Sequence, residues 1–309
     1  MYRIATEELY HKNNTLLHRR WLLDGKLHRE DGPAYESFHQ NGALKERIWS
    51  LNGNRHREGG PAFEYFDEVG VLLSYEWNSH GLLHRADGPA QELFYPNGIL
   101  MRREWRVDGN FHRENNPAYE FFNPDGTLAR YEWRVEGKLH REDGPAFELF
   151  YPDGTLMHRE WQINGNLHRE DGPAFESFNP DGTLRRREWR INGELHREYG
   201  PARVALHPDG ALMHREWRIE GKLHREDGPA YESFDLDGIL KHREWWIKGN
   251  LHRENGPAQE SFILRGSDQF TNTAYYLKGV HITEAEYPRH VRLLKLTTKD
   301  PTVKPNLTL

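Results

Sequence analysis

A histidine-arginine pair returns every 28 residues, nine times without a slip, from His28-Arg29 to His252-Arg253. A fixed period of this length marks a repeat protein. Each repeat is one supersecondary unit that buries its apolar face only against its neighbours. Full units start at Leu27, Arg55, Leu83, Phe111, Leu139, Leu167, Leu195, Leu223 and Leu251. Residues 5–26 form a truncated leading unit, with Trp21 and Asp24-Gly25 in phase. The last unit is two residues longer, with Tyr275 in place of the tryptophan and Leu277-Lys278-Gly279 at its turn.

The period overrides the prior that 309 residues make about two compact domains. Charged residues are 29% and hydrophobic ones 36%, low for a globule of this size. Disorder is excluded because 10 Trp, 14 Tyr and 14 Phe recur largely at fixed positions. A net charge of −6 argues against a grip on nucleic acid by phosphate neutralisation. With no cysteine there is neither a disulfide framework nor a thiolate metal site. No signal peptide is legible at Met1-Tyr2-Arg3, and no long apolar run follows, so a cytosolic (or viral, intracellular) protein is expected.

Residues 167–194 read LHREDGPAFESFNPDGTLRRREWRINGE, with five Arg and six Asp or Glu. Two turn signals stand out: Pro180-Asp181-Gly182 and Asn192-Gly193. Asp-Gly and Asn-Gly between β-rich runs are strong hairpin signals, because type I′ turns need positive φ at both central residues. Between the turns lie a strand over 183–191 and a longer one over 194–206. Gly200-Pro201 interrupts the second and is expected to be a bulge or bend, since proline cannot donate to a ladder.

Two-residue loops set the register. Around Asn164-Gly165, Trp161 is expected to face His168, Glu160 to face Arg169, and Arg159 to face Glu170. Around Asp153-Gly154, Glu148 faces Arg159 and Ala146 faces Trp161. The fold expected is all-β: stacked antiparallel hairpins, two strands per unit, rising roughly 9–10 Å per unit and spanning on the order of 90 Å.

The segment Glu188-Trp189-Arg190-Ile191-Asn192-Gly193-Glu194-Leu195-His196, with the second turn Asn179-Pro180-Asp181-Gly182, resembles MORN repeats over about residues 5–280. It is most similar to the longer MORN variants of antitoxin-like, phage and large-DNA-virus repeat proteins. The period of 28 is longer than the usual unit, and Arg197 stands where the family has glycine. The resemblance implies an elongated twisted sheet used for protein contacts or self-association, with phospholipid binding by some members. Turns such as Pro124-Asp125-Gly126 give a weaker similarity to the Tyr-Asp repeats of toxin shells.

Three regions are expected: residues 1–26 as an N-terminal partial repeat, 27–280 as the nine repeats, and 281–309 as a C-terminal helical cap and tail. At the N-terminus, Met1–Ile4 and the irregular first unit are all that cover the open edge. At the other end, Thr283-Glu284-Ala285-Glu286 fits a capping box. Pro288 suggests a break before a main helical turn at Arg289–Leu296, with Val291, Leu294 and Leu296 over the last hairpin. Residues 298–309, with Pro301 and Pro305, read as a disordered tail.

The nine histidines are the obvious catalytic or metal candidates. At roughly 9–10 Å apart they are too distant to share one ion. The expected role is structural, each packed edge-on to a tryptophan and bonded to a backbone group. The row breaks at Ala86, Asn115-Asn116, Tyr199 and Arg203-Val204-Ala205-Leu206, none of which assembles a nucleophile, base and oxyanion donor. No P-loop, dinucleotide fingerprint or zinc-protease motif is present.

The tryptophan row is read either as the packed face, with Phe178, Ala174 and Ile191 and their equivalents, or as an exposed ladder for a polymer such as a glycan. The Arg and Glu rows are read as a solvated ion-pair lattice or a partner surface. The binding candidates are Trp105, Trp133, Trp161, Trp189 and Trp217, with Arg141, Arg169, Arg197 and Arg225. No catalytic residue, metal or cofactor is assigned. The expected function is a non-enzymatic scaffold that binds a protein partner or itself, antitoxin-like or viral in kind. The alternative is a polymer-binding module, for glycan or an acidic lipid surface, acting through the Trp/Arg ladder. An enzyme ranks third.

Overall fold

A computed structural model of the chain describes residues 4–265 and 268–299. The chain is all-β, built of repeating antiparallel hairpins, with a single helix, Tyr287–Lys299, among the described residues. It divides into two compact units, Met1–Gly165 and Asn166–Leu309, each built from the same repeat.

Each repeat before the last carries four short strands rather than two. In the repeat that opens at Phe111, Tyr119–Phe122 pairs with Leu128–Glu132, which on its other side pairs with Phe147–Phe150 of the next repeat. The chain breaks at Trp133 and makes a second, narrower hairpin, Arg134–Val135 with Lys138–Leu139. Within each unit the broad hairpins form one ladder. The narrow ones form another, joined repeat to repeat by Gly137 N–H to Phe111 C=O (2.8 Å) and Arg141 N–H to Gln162 C=O (3.1 Å).

This arrangement corrects the expected strands. The run 183–191 is Leu184–Glu188 and Arg190–Ile191, split at Trp189. The run 194–206 is Glu194–Leu195 and Arg203–Leu206, and Gly200-Pro201 lies in the crossing between the two ladders instead of being a bulge within one strand. The bulge occurs beside the other turn, where register shifts between Ser177 and Phe178.

The two turns also differ. Asn192 (φ 51) and Gly193 (φ 88) are both left-handed, as type I′ requires. At Pro180-Asp181-Gly182 only Gly182 has positive φ (81), its N–H closing on Asn179 C=O at 2.9 Å. That is a type I turn followed by a left-handed glycine, the other common hairpin connection.

The expected pairing of Glu148 with Arg159 holds, and Ala146 N–H donates to Glu160 C=O (2.8 Å), beside Trp161. The pairing of tryptophan with histidine holds in kind: His140 N–H donates to Trp133 C=O (2.9 Å). The continuation written as Glu160 with Arg169 and Arg159 with Glu170 does not occur in the sister repeat. There Glu132 lies opposite Phe147 and Tyr131 opposite Glu148. Arg169 N–H donates instead to Arg190 C=O (3.1 Å). The ladder stops at histidine because the chain must then cross back to the broad ladder.

The crossing ends on a column of alanines. Ala118, Ala146, Ala202, Ala230 and their equivalents are fully buried, each held by backbone bonds on both sides. A larger side chain there has no space to enter. Few aliphatic residues join them. Carboxylates do: Glu104, Glu132, Glu188 and Glu216 are 2–5% exposed. The expected solvated lattice is therefore buried on this side. Glu188 is held by Arg186, by Arg190 Nε (2.7 Å) and by Arg203 Nε (2.9 Å). A buried carboxylate persists only with such partners.

The ends are closed differently. Ile4–Tyr10 pairs with Leu16–Leu23 and leaves Leu9 and Tyr10 exposed. At the C-terminal end Leu277, Ile282 and Tyr287 form a buried cluster, with Tyr275, Val291 and Leu294 against it. The Tyr287 hydroxyl donates to Arg253 C=O (2.6 Å) and accepts from Gly256 N–H (3.0 Å). Thr283 Oγ1 donates to Glu286 Oε2 (2.5 Å) at the helix start, where the capping box was expected. Pro288 does not break the helix. It occupies the first turn, where its missing N–H would have had no intrahelical acceptor. Leu296, expected to cover the hairpin, is exposed, and residues 298 and 299 are helical rather than tail. The rest of the expected tail, 300–309, lies outside the described residues.

Candidate functional site

Strand alternation places residues two apart on one face. In Arg-Glu-Trp the arginine and the tryptophan therefore share a face and the glutamate takes the other. The arginine two residues before the indole lies over it: Arg47 over Trp49 (5.0 Å from guanidinium carbon to ring centroid), Arg103 over Trp105 (5.1 Å), Arg159 over Trp161 (4.9 Å). The arginine of the His-Arg pair comes closer: Arg113 to Trp105 (3.8 Å), Arg141 to Trp133 (4.0 Å), Arg197 to Trp189 (3.8 Å), Arg225 to Trp217 (4.0 Å). Cation–π pairing of this kind is worth about 0.5–1 kcal/mol at exposed sites, and more when desolvated. The tryptophans are half-buried, and Trp105 is buried.

The guanidinium of the His-Arg pair is held by its own loop. Arg169 Nε donates to Asp171 (2.8 Å) and Arg169 Nη1 to Pro173 C=O (3.4 Å). Gly172 makes room for it: a Cβ there would lie 2.7 Å from the Arg169 guanidinium carbon. Arg141 with Asp143 and Arg225 with Asp227 repeat this arrangement. The arginine beside each holds the exposed Asp143, Asp171 and Asp227 carboxyls below the usual carboxylate range.

The histidines bond a backbone group, as expected, but do not cover the tryptophan. It is the arginine that covers the indole. Each histidine Nδ1 accepts the backbone N–H of the narrow-turn residue one repeat later, as in Asn52 to His28 (3.1 Å), Asp108 to His84 (3.2 Å), Asn192 to His168 (3.2 Å) and Lys248 to His224 (3.2 Å). That donor is the residue with left-handed backbone, even where it is Glu136, Glu220 or Lys248. The histidine thus clasps a strained turn. Among the described residues no group of three His, Asp or Glu side chains is placed to hold a metal ion.

The other arginine draws a carboxylate from the next repeat at several indoles. Arg19 Nε donates to Glu36 (2.6 Å), Arg103 Nε to Glu120 (2.5 Å) and Arg215 Nε to Glu232 (2.5 Å); Arg47 pairs likewise with Glu64. Tyr75 and Tyr131 replace arginine in this row and donate their hydroxyls to Glu92 and Glu148. Burial and those carboxylates push both phenols well above their ordinary range.

Open clefts lie between successive loops. One of about 370 Å³ is lined by residues 29–32 with Trp49, Leu51, His56, Arg57 and Glu58. Its counterpart of about 450 Å³ is lined by residues 169–172 with Trp189, Ile191, His196, Arg197, Glu198 and Tyr199. The candidates Trp189, Arg169 and Arg197 thus meet at one cleft. Trp105, Trp133, Trp161, Trp217, Arg141 and Arg225 sit at equivalent positions of other repeats. The sequence reading missed the stacking of arginine on tryptophan. The Arg-Glu-Trp alternation was a legible signal for half of it, but the approach of the His-Arg guanidinium depends on the crossing loop.

No protein-family model matches the sequence, and no curated protein matches it. Among solved structures a likeness is found to a crystal structure of TcdB2-TccC3, at 10% identity and a TM-score of 0.18, covering 89% of this chain and 14% of that one. A mutant Photorhabdus luminescens Tc holotoxin pore is similar at 10% identity and a TM-score of 0.14, covering 91% and 16%. The chain spans about a seventh of the length of the first of these.

Proposed function

We propose that the protein is a non-enzymatic repeat scaffold of the longer MORN type that binds a protein partner or a second copy of itself. The observation that carries this reading is the half-buried tryptophan with arginine over it, repeated at each 28-residue step beside open clefts. Arginine and tryptophan are the favoured anchors of protein interfaces. The same geometry weighs against a stacking ladder for a glycan, because guanidinium groups already lie over the indoles. A surface of equivalent clefts binds by summation, so no single repeat should be indispensable.

The test is co-purification of the full chain, with sedimentation to detect self-association. The expected result is one defined partner or a concentration-dependent oligomer, weakened stepwise by Arg141→Ala, Arg197→Ala and Arg225→Ala. A monomer that recovers no partner overturns the reading.

A further inference from the structure

The repeat supplies its own control at the one hairpin where its charge pattern fails twice. Over Trp245, Glu260 serves both guanidiniums: Arg243 donates to Glu260 Oε2 through Nε, and Arg253 Nη1 to Glu260 Oε1 (2.9 Å). Over Trp189 the corresponding groups are Arg187 and Arg197, at 5.1 and 3.8 Å from the ring centroid. The residue in the place of Glu260 is Val204, paired in register with Arg187. The residue in the place of the loop aspartate is Tyr199, exposed to solvent. Arg187 Nε is buried and has no hydrogen-bond partner among the described residues, whereas the same atom of Arg19, Arg103 and Arg215 donates to the next repeat's carboxylate. Arg197 Nη1 donates to Pro201 C=O (3.2 Å), and the residue lines the open cleft. Burial and the nearby Arg187 lower its pKa.

We propose that the Arg187–Trp189–Arg197 cluster is a binding site for an external carboxylate, which takes the position that Glu260 holds over Trp245. A buried guanidinium N–H without an acceptor is costly, and a charge-assisted bond to a carboxylate removes that cost. The surroundings narrow the ligand. Glu170, Asp171 and Glu198 stand on the cleft walls, Glu176 lies opposite Arg187 within the hairpin, and Arg215 beyond Val204 is already paired with Glu232. These carboxylates repel a polyanion, so a single carboxylate is favoured over a chain of phosphates. The ligand is the carboxylate of an acidic side chain on a protein partner, or a free monocarboxylate of the same chemistry. The first source rests on the scaffold reading above; the second does not.

The test follows the arginine Nε–H resonances of the nitrogen-15-labelled full chain. The probes are sodium acetate and a neutral peptide with one central glutamate, each against sodium chloride at matched ionic strength. Arg187 and Arg197 should shift saturably, while Arg243 and Arg253, closed by Glu260, stay still. Tighter binding of the peptide than of acetate assigns the site to a protein partner, and equal binding assigns it to a free carboxylate. Val204→Glu should weaken the response by about tenfold or more, and Tyr199→Asp should reduce the shift of Arg197. The substituted glutamate already fits this position in the neighbouring repeats. Equal shifts with chloride, equal shifts at Arg243, or an unchanged response in Val204→Glu overturn the site. Co-purification separates the two readings: a partner retained without any arginine shift removes this site alone, and shifts without any partner remove the scaffold.

Discussion

The hairpin that carries Trp245 and the hairpin that carries Trp189 share a backbone and differ in a few side chains. In the first, one carboxylate from the following strand bridges two guanidiniums over the indole. In the second, valine and tyrosine replace the residues that would supply one, and both arginines remain in place. The ladder holds the backbone equally well in both, with Trp189 N–H on Ala202 C=O (2.8 Å) and Trp245 N–H on Ala258 C=O (2.9 Å). Backbone pairing and the alanine column carry the fold, so charges on the tryptophan face are free to vary. A change there alters binding before it alters architecture.

The largest expected effect lies on the opposite face of the same hairpin. Glu188→Ala strips a buried carboxylate from Arg186, Arg190 and Arg203, and should cost about 3–5 kcal/mol in urea denaturation. Glu244→Ala, its counterpart beside Trp245, should cost less, because Glu244 is more exposed and is bonded by His242, Trp246 and Gln259. Equal losses would show that the two hairpins are not differently charged inside. Next comes Glu260→Ala, which makes the Trp245 hairpin resemble the Trp189 one. It should cost about 1–3 kcal/mol and make Arg243 and Arg253 respond to acetate.

Val204→Glu is the reverse exchange. It should raise stability by about 0.5–1 kcal/mol in the same denaturation, given how exposed the paired arginines are elsewhere in this row. A destabilised variant would show that the valine is required for packing.

Acidification should follow with a smaller effect. Burial holds the His214 imidazole below the usual histidine pKa of about 6.5, against the pull of Glu216 at 3.9 Å. The fold therefore favours neutral His214. Its contribution is present above pH 6.5 and is lost as pH falls from there through the folded value. The melting temperature should drop between pH 7.5 and pH 5, and His214→Phe should flatten that slope. An identical slope in the variant would show that His214 is not its source. The smallest change is Asp227→Ala. It should leave the melting temperature unmoved, since this aspartate is largely in solvent, yet let Arg225 respond to acetate.

Much of the molecule was legible before its structure. The period, the two turns, the pairing of Glu148 with Arg159 and the nearness of tryptophan to histidine all follow from local rules: two-residue loops set register, and alternation sets faces. The pairing of Thr283 with Glu286 before the helix was legible for the same reason, although it joins the two side chains and is not a reciprocal capping box. The break at each tryptophan was not, because nothing in Arg-Glu-Trp-Arg-Ile says that a strand ends at its third residue. That end is set by Trp189 N–H bonding to Ala202, thirteen residues later. Pro288 misled because its cost depends on whether a helix has already begun.

The sequence by itself determined the repeat, the strand content and the alternation of charge, since these depend on neighbours along the chain. Only the tertiary structure decided which carboxylate of the next repeat meets the arginine two residues before a tryptophan, because those pairs join side chains from two different repeats. Arg187 belongs to one repeat and Val204 to the next. Seen along the chain, they are a common arginine and a valine where other repeats carry glutamate; set opposite each other across a strand pair, they leave a buried N–H without an acceptor among the described residues.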